Sequence, residues 1–134
     1  MRYLMLVLST PEDPQLRAED AAGAPPIEGW VEKHYGNGAA VLGDRLRPPQ
    51  DAVGVRVRGG KVLVTDGPFS ETKEAIGGFD VIDAPDLDTA IVMASEHPMA
   101  HGGAIELRPV WPLGLDAGLD AAPGADAGPD AGGA

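Results

Sequence analysis

The sequence contains no cysteine, and this absence excludes several kinds of chemistry. Disulfide bonds, thiolate catalysis and cysteine-based zinc or iron–sulfur sites all require the missing side chain. Long apolar runs are absent too, since the longest is the stretch Tyr3 to Leu8. A membrane-spanning helix needs roughly 20 apolar residues, and this run is also too short for the core of a signal peptide. We therefore expect a cytoplasmic protein without a membrane span.

Basic charge is scarce. The chain of 134 residues carries 21 acidic and 10 basic side chains, which gives a formal net charge of -11. Such a surface repels phosphate backbones, so we expect no nucleic-acid partner. The stretch 114–134 consists almost entirely of Ala, Gly, Asp, Pro and Leu and contains no base. It predicts a disordered acidic tail that either aids solubility or binds a basic partner, and leaves 1–113 as one folded domain.

Two apolar stripes at helical spacing predict two helices in this domain. The first begins near Pro26 and places Ile27, Trp30, Val31 and His34 on one side. The second begins after an N-cap at Asp86, and its predicted buried residues are Leu87, Ala90, Ile91 and Ala94. The stretch 9–25 is expected to form a loop, either with or without a helical turn. Strands are predicted at 3–8, 41–47, 53–58, 61–65, 77–84 and 104–110.

The clearest local signal is a hairpin around Gly59-Gly60. The sequence "VGVRVR" alternates strictly before this pair and "KVLVT" follows it, which predicts a two-residue turn of the primed type. In that register Val57 faces Val62 and Val55 faces Val64, so one side of the hairpin is a valine patch for a core. The other side carries Arg56 and Arg58, and Arg45 and Arg47 on the preceding strand are expected to extend this cationic surface.

Together these elements indicate an α+β fold. We expect a ferredoxin-like antiparallel sheet with one added hairpin strand and two helices on one face. The opposite face of such a sheet is left open, and an open face with apolar residues favours a homodimer.

The segment "TDGPFSETKEAIGGF" (65–79) is more specific than the fold pattern. Together with "GDRLRPP" (43–49) and "GAIELRPV" (103–110), it resembles the DGPF branch of the YCII-related family. The resemblance implies a dimeric α/β barrel, in which two sheets pack face to face across a twofold axis. It also implies two kinds of role, because some relatives are enzymes, including a dehydrochlorinase with a His–Asp pair, and others are encoded beside sigma factors. The stretch that matches the catalytic histidine, "APPIEGW" (24–30), contains no histidine, and His34 follows about two turns later.

The candidate catalytic residues are Asp66, Lys73 and Glu71. Asp66 either caps the turn that begins "DG" or acts as a carboxylate base at a cavity mouth. Glu71 and Lys73 either form a solvated face or order the loop over a pocket, where the lysine would neutralise an anionic substrate. The candidate ligand-binding residues are Arg45, Arg56 and Phe69. The arginines are either a solvated strand face or the floor of an anion-binding cavity, and Phe69 is a core or interface anchor.

Metal and cofactor sites are not expected. His97 and His101 have an i, i+4 spacing, but Pro98 ends the helix between them. His34 is either a core or interface histidine or a proton-transfer group. Neither glycine-rich nucleotide fingerprint occurs, and there is no Gly-x-Ser-x-Gly elbow.

Two functions follow from this reading. The first is binding or acid–base conversion of a small anionic or aromatic molecule, in a pocket near the dimer interface and beneath the 66–74 loop. The second is a non-catalytic accessory or ligand-binding protein in a stress-regulation module linked to a sigma factor.

Overall fold

The computed structural model describes residues 1–9, 14–67 and 75–115. Its helices and strands are β1 (Arg2–Ser9), α1 (Pro14–Ala22), α2 (Ile27–Gly36), β2 (Ala40–Arg45), β3 (Val53–Arg58), β4 (Lys61–Asp66), β5 (Ala75–Asp83), α3 (Leu87–Ser95) and β6 (Ala104–Pro109). Short 3₁₀ turns occupy Pro49–Asp51 and Pro98–Ala100. The predicted acidic tail lies outside the described residues apart from Gly114 and Leu115.

Four strands form one sheet in the order β2-β5-β1-β6. Each pairing in it is antiparallel, with β1 between β5 and β6. The predicted ferredoxin-like α+β fold is confirmed. No helix in the described part of the chain is long and apolar enough to cross a membrane.

The core lies on one face of this sheet. Tyr3, Met5 and Ile82 project from the strands and pack with Trp30 of α2 and Met93 of α3. Met5 and Ile82 are completely buried. Burial of a large apolar side chain contributes about 1.5–3 kcal/mol, so this layer holds both helices on the sheet.

Two helix predictions need correction. The stretch 9–25 was expected to be a loop, but α1 occupies Pro14–Ala22, because its alanines favour a helix and Pro14 suits the first turn. In α3, Ala90 and Ala94 are buried as predicted, whereas Leu87 and Ile91 are exposed and Met93 is buried. The buried stripe is rotated toward Met93 because α2 packs on that side. The predicted N-cap is confirmed, since Asp86 accepts the Thr89 N–H at 2.8 Å.

The hairpin has the predicted register but not the predicted surroundings. Val57 pairs with Val62 and Val55 with Val64. The turn is of the primed type, with positive φ at Gly59 and Gly60. However, β3 and β4 form a separate two-stranded sheet, so a whole hairpin is added outside the main sheet rather than one strand within it. These four valines are 58–66% exposed, and the prediction that they form a core beneath the helices is wrong for the single chain.

The predicted cationic surface is also not continuous. β2 ends at Arg45, and Arg47 lies beyond it, 3.8 Å from the carboxylate of Asp51. Arg45 therefore belongs to the four-stranded sheet, whereas Arg56 and Arg58 belong to the hairpin. Because the two sheets are not joined by strand pairing, alternation along the chain does not place these arginines on one face.

Candidate functional site

A cavity of about 780 Å³ lies between α2 and the helix-facing side of the sheet. Ile27, Trp30 and Val31 of α2 line one wall, and Val7 of β1 lies opposite. The turn that contains His97 and Met99 lines a further part of the wall. Pockets of roughly 300–1,000 Å³ lined mainly by apolar groups accommodate small organic ligands.

Two glycines make room for this cavity. Strand pairing places Gly43 beside Asp80 and Arg45 beside Gly78, and residues paired in this way share one face of the sheet. Asp80 pairs with the buried Met5, so this is the helix-facing side. Glycine adds no side chain at positions 43 and 78, and the space between sheet and α2 therefore stays open.

Gly43 is required for a second reason. A Cβ built on it would overlap Asp80 Oδ1 and the Phe79 carbonyl oxygen, and would lie 2.7 Å from the Tyr35 hydroxyl. The missing side chain thus provides the space in which Tyr35 and Asp80 meet.

Tyr35 and Asp80 form the central polar contact of the cavity. The Tyr35 hydroxyl donates to Asp80 Oδ1 at 2.5 Å, across 45 residues of sequence. Burial raises the pKa of Asp80, and the hydrogen bond from Tyr35 only partly opposes this. The pKa of Tyr35 is raised by burial first, and further by its hydrogen bond to Asp80 and the nearby carboxylate charges. The pair thus holds a proton donor and a proton acceptor in direct contact.

His97 adds a neutral imidazole to the cavity wall. Its ring is buried, and Nδ1 accepts the backbone N–H of Met99 at 3.0 Å. Burial lowers the pKa of His97 from 6.5 to about 4, so the ring is uncharged at neutral pH. Because Nδ1 is an acceptor, the proton of the neutral ring is on Nε2. The ring also meets Trp30 edge-on, with centroids 5.0 Å apart.

Contacts between α2 and α3 hold the helical wall in place. The Trp30 indole N–H donates to the Met93 carbonyl at 2.9 Å. Lys33 donates to both carboxylate oxygens of Glu96, and His34 Nε2 lies 2.9 Å from Glu96 Oε1. The hydrogen bond from Lys33 is the main reason that the pKa of Glu96 lies below its usual value. His34 is therefore part of the helix–helix contact, which fits its interpretation as a core histidine.

The site holds groups for proton transfer. A buried carboxylate can accept a proton, and the Tyr35 hydroxyl and the His97 Nε2–H can donate hydrogen bonds. Within the described ranges, no group of three His, Cys, Asp or Glu side chains is placed to hold a metal ion.

Comparison with known proteins identifies the family. A family model described as the YCII-related domain matches residues 1–114. The chain belongs to the YCII-related family. Its similarity to an uncharacterised protein of Rhizobium meliloti (strain 1021) is 41% identity over 68 residues, or 49% of this chain and 55% of that protein. The chain thus matches about half the length of this curated relative.

A solved structure of similar fold is 5-chloro-2-hydroxyhydroquinone dehydrochlorinase from Burkholderia phenoliruptrix AC1100, in complex with 2,5-dihydroxybenzoquinone. It is 15% identical, with a TM-score of 0.43, and the match covers 82% of this chain and 93% of that one.

In this YCII-related protein, the residues expected from sequence to form the site do not all lie together. Arg45 lines the cavity. Arg56 and Asp66 are exposed on the hairpin, and neither is among the described residues that line the cavity. The Asp66 side chain forms no hydrogen bond with another described residue, so its turn-capping interpretation gains no support here. Glu71, Lys73 and Phe69 lie outside the described residues.

The sequence reasoning missed Asp80, Tyr35 and Gly43, and considered His97 only as a metal ligand. Asp80 did carry a signal, because it interrupts an apolar strand at an alternate position shared with the buried Ile82. An acid at an inward-facing position has a partner or a function. Tyr35 and Gly43 carried no such signal, since their importance depends on strand pairing and helix packing.

Proposed function

We propose that this protein binds a small, ring-containing organic molecule in the cavity and converts it by proton transfer at Asp80. The observation that carries the proposal is the Tyr35–Asp80 contact inside a largely apolar cavity. A carboxylate whose pKa is raised by burial is a better base near neutral pH than a solvated one.

Each polar group has a role in this proposal. Asp80 accepts the proton from the ligand, and Tyr35 stabilises the carboxylate before transfer. The neutral His97 offers its Nε2–H to an oxygen or nitrogen of the ligand. Arg45, in the adjacent row of the sheet, donates hydrogen bonds to a polar group of the ligand.

The candidate site residues chosen from the sequence remain a second proposal. Asp66, Glu71 and Lys73 would supply further acid–base groups, with Phe69 and Arg56 in contact with the ligand. An Asp66→Ala variant that keeps its fold and its full ligand response would remove Asp66 from the site.

We also infer a homodimer, as the family resemblance implies. The exposed valine side of the hairpin supports it, because an isolated two-stranded hairpin is at best marginally stable in water. A second copy that covers these valines would bury a contiguous apolar patch. Analytical ultracentrifugation should show a dimer, and the variant Val57→Lys with Val62→Lys should shift it toward monomer. A monomeric parent protein would contradict this inference.

The proposed function is tested by thermal-shift screening of the full chain against a library of small aromatic compounds. Bound ligands raise the melting temperature by mass action. Val31→Trp, which fills the cavity from the surface of α2, should abolish the shifts. The matched control is Ile91→Trp, a similarly exposed apolar position on α3 outside the cavity lining, and it should retain them.

Hits are then incubated with the protein and followed by NMR for chemical change or for exchange of carbon-bound protons with deuterium. We expect turnover that falls at least a hundredfold in Asp80→Asn, since general acid–base groups contribute about 10²–10⁴-fold. Binding without any turnover would instead favour the accessory ligand-binding role. Shifts that persist in Val31→Trp would place the ligand outside the cavity and refute the proposal.

A further inference from the structure

We propose that the ligand of this cavity bears a protonated amine, which binds the carboxylate of Asp80. The inference rests on the proposed function, because it assumes that the cavity is the ligand site. It adds the chemical class of the ligand, an amine attached to an aromatic or apolar group, whose ammonium group then carries the proton that Asp80 accepts.

The first argument is the incomplete set of partners around Asp80. An ionised carboxylate has two oxygens that together accept about four hydrogen bonds. In the described structure Tyr35 provides one donor to Oδ1, and Oδ2 has no hydrogen-bond partner among the described residues. Oδ2 is not buried, so it stays open to a donor from a ligand in the cavity. An ammonium group carries three donors and a positive charge, and so supplies what is missing.

The second argument is the charge around the site. Of the described residues that line the cavity, Asp44, Asp80 and Arg45 are charged, and His97 is neutral. Arg45 forms no salt bridge with Asp80 despite lying in the adjacent row of the same sheet face. Among the described residues, Asp80 and Arg45 face the cavity from the sheet and Asp44 lies on the opposite face of β2, so the negative sign comes from the chain as a whole, which carries -11. A field of this sign concentrates cations and repels anions.

The third argument is the apolar and aromatic wall. Trp30 and Tyr35 line the cavity on the α2 side, next to Ile27 and Val31. Aromatic faces attract cations as well as rings, most strongly where water is excluded. At about 780 Å³ the cavity is large enough for a ring with an amine side chain.

The test compares three probes of nearly equal shape: 2-phenylethylamine, 2-phenylethanol and phenylacetate. Their affinities for the full-length protein are measured by isothermal titration calorimetry at pH 7.5 and low salt. We expect the amine to bind roughly ten- to a hundredfold more tightly than the alcohol, the range for a charge-assisted hydrogen bond, and phenylacetate to bind most weakly.

Asp80→Asn keeps the shape of the side chain and removes its charge, so it should abolish the preference for the amine. The control Asp88→Asn removes one negative charge from an exposed position in the first turn of α3 and should keep the preference. If Asp80→Asn does not fold, the relative affinities of the three probes for the unaltered protein still test the inference. The pKa of Asp80, followed by carbon NMR, should fall when the amine binds and stay unchanged with the alcohol.

The inference is overturned if the amine binds no better than the alcohol, if phenylacetate binds most tightly, if none of the probes binds, or if Asp80→Asn keeps the amine preference. Equal binding of amine and alcohol, blocked by Val31→Trp, would overturn this inference while leaving the proposed function intact. Absence of any cavity ligand in the full library would refute both.

Discussion

Replacing Gly43 by alanine adds one methyl group at the most crowded point of the site. The added carbon would overlap Asp80 Oδ1 and the Phe79 carbonyl oxygen, and lie 2.7 Å from the Tyr35 hydroxyl. The Asp80 side chain can rotate away, but the Phe79 carbonyl is part of the β5 backbone, which pairs with β2 at this position. Overpacking of this kind typically costs 1–3 kcal/mol, and because backbone must move we expect about 2–3 kcal/mol here.

The free energy of unfolding is measured by urea denaturation, followed by tryptophan fluorescence. Gly77→Ala is the matched control, because it lies on the neighbouring strand β5 and its added Cβ would be 3.9 Å from the nearest atom, the Val7 carbonyl oxygen. Neither glycine has a positive φ, so steric overlap is the difference between them. We expect the control to stay within about 0.5 kcal/mol of the parent or to be slightly more stable. A Gly43→Ala variant as stable as Gly77→Ala would refute the packing described for the Tyr35–Asp80 contact.

Further predictions concern pH and the helical wall. Because the pKa of Asp80 is raised in the folded state, its ionisation favours unfolding as pH rises, so the stability of Asp80→Asn relative to the parent should increase between pH 3 and pH 7 in urea denaturation. A stability difference between Asp80→Asn and the parent that does not change with pH would contradict the raised pKa of Asp80. His97 has the opposite effect: its pKa falls from 6.5 to about 4, so the unfolded chain binds a proton that the folded one does not. The parent should lose up to about 3 kcal/mol relative to His97→Gln as pH falls from 6.5 to 4, and parallel pH profiles would exclude this. Trp30→Phe removes the hydrogen bond to the Met93 carbonyl and should lower the unfolding free energy by about 2 kcal/mol, whereas an unchanged urea midpoint, followed by circular dichroism, would show that this bond is not needed.

Features that depend on near neighbours in the chain were predictable. The Gly59-Gly60 turn sets the register of the hairpin, because both glycines adopt positive φ at no steric cost. The N-cap at Asp86 was predictable for the same reason, since it binds an N–H only three residues away. The ferredoxin-like topology followed from the order of the strands and helices and from the family resemblance.

Features that depend on packing were predicted less well. The valine side of the hairpin was expected to be core, because alternation shows that one side is apolar but not what covers it. The stripe of α3 was displaced toward Met93, since several apolar residues of that helix were able to face the sheet and the position of α2 selected among them.

The candidate site contains both kinds of feature, those that the sequence predicts and those that depend on packing. Arg45 was chosen from sequence, as a cation on a predicted strand, and it does line the cavity. The importance of Asp80 could have been inferred from the sequence, because it is an acid at a strand position that faces the core. Its contact with Tyr35, and the glycine at 43 that makes space for it, join the consecutive elements α2 and β2 to β5, with 45 residues between Tyr35 and Asp80.

The sequence by itself determined the strands, the tight hairpin turn, the helix cap and the family, since each depends on neighbouring residues or on an ordered motif. Only the tertiary structure decided where the cavity lies and which acid faces it. The reason is physical: strand pairing and helix packing set the distance between side chains of different elements, and burial then sets their protonation.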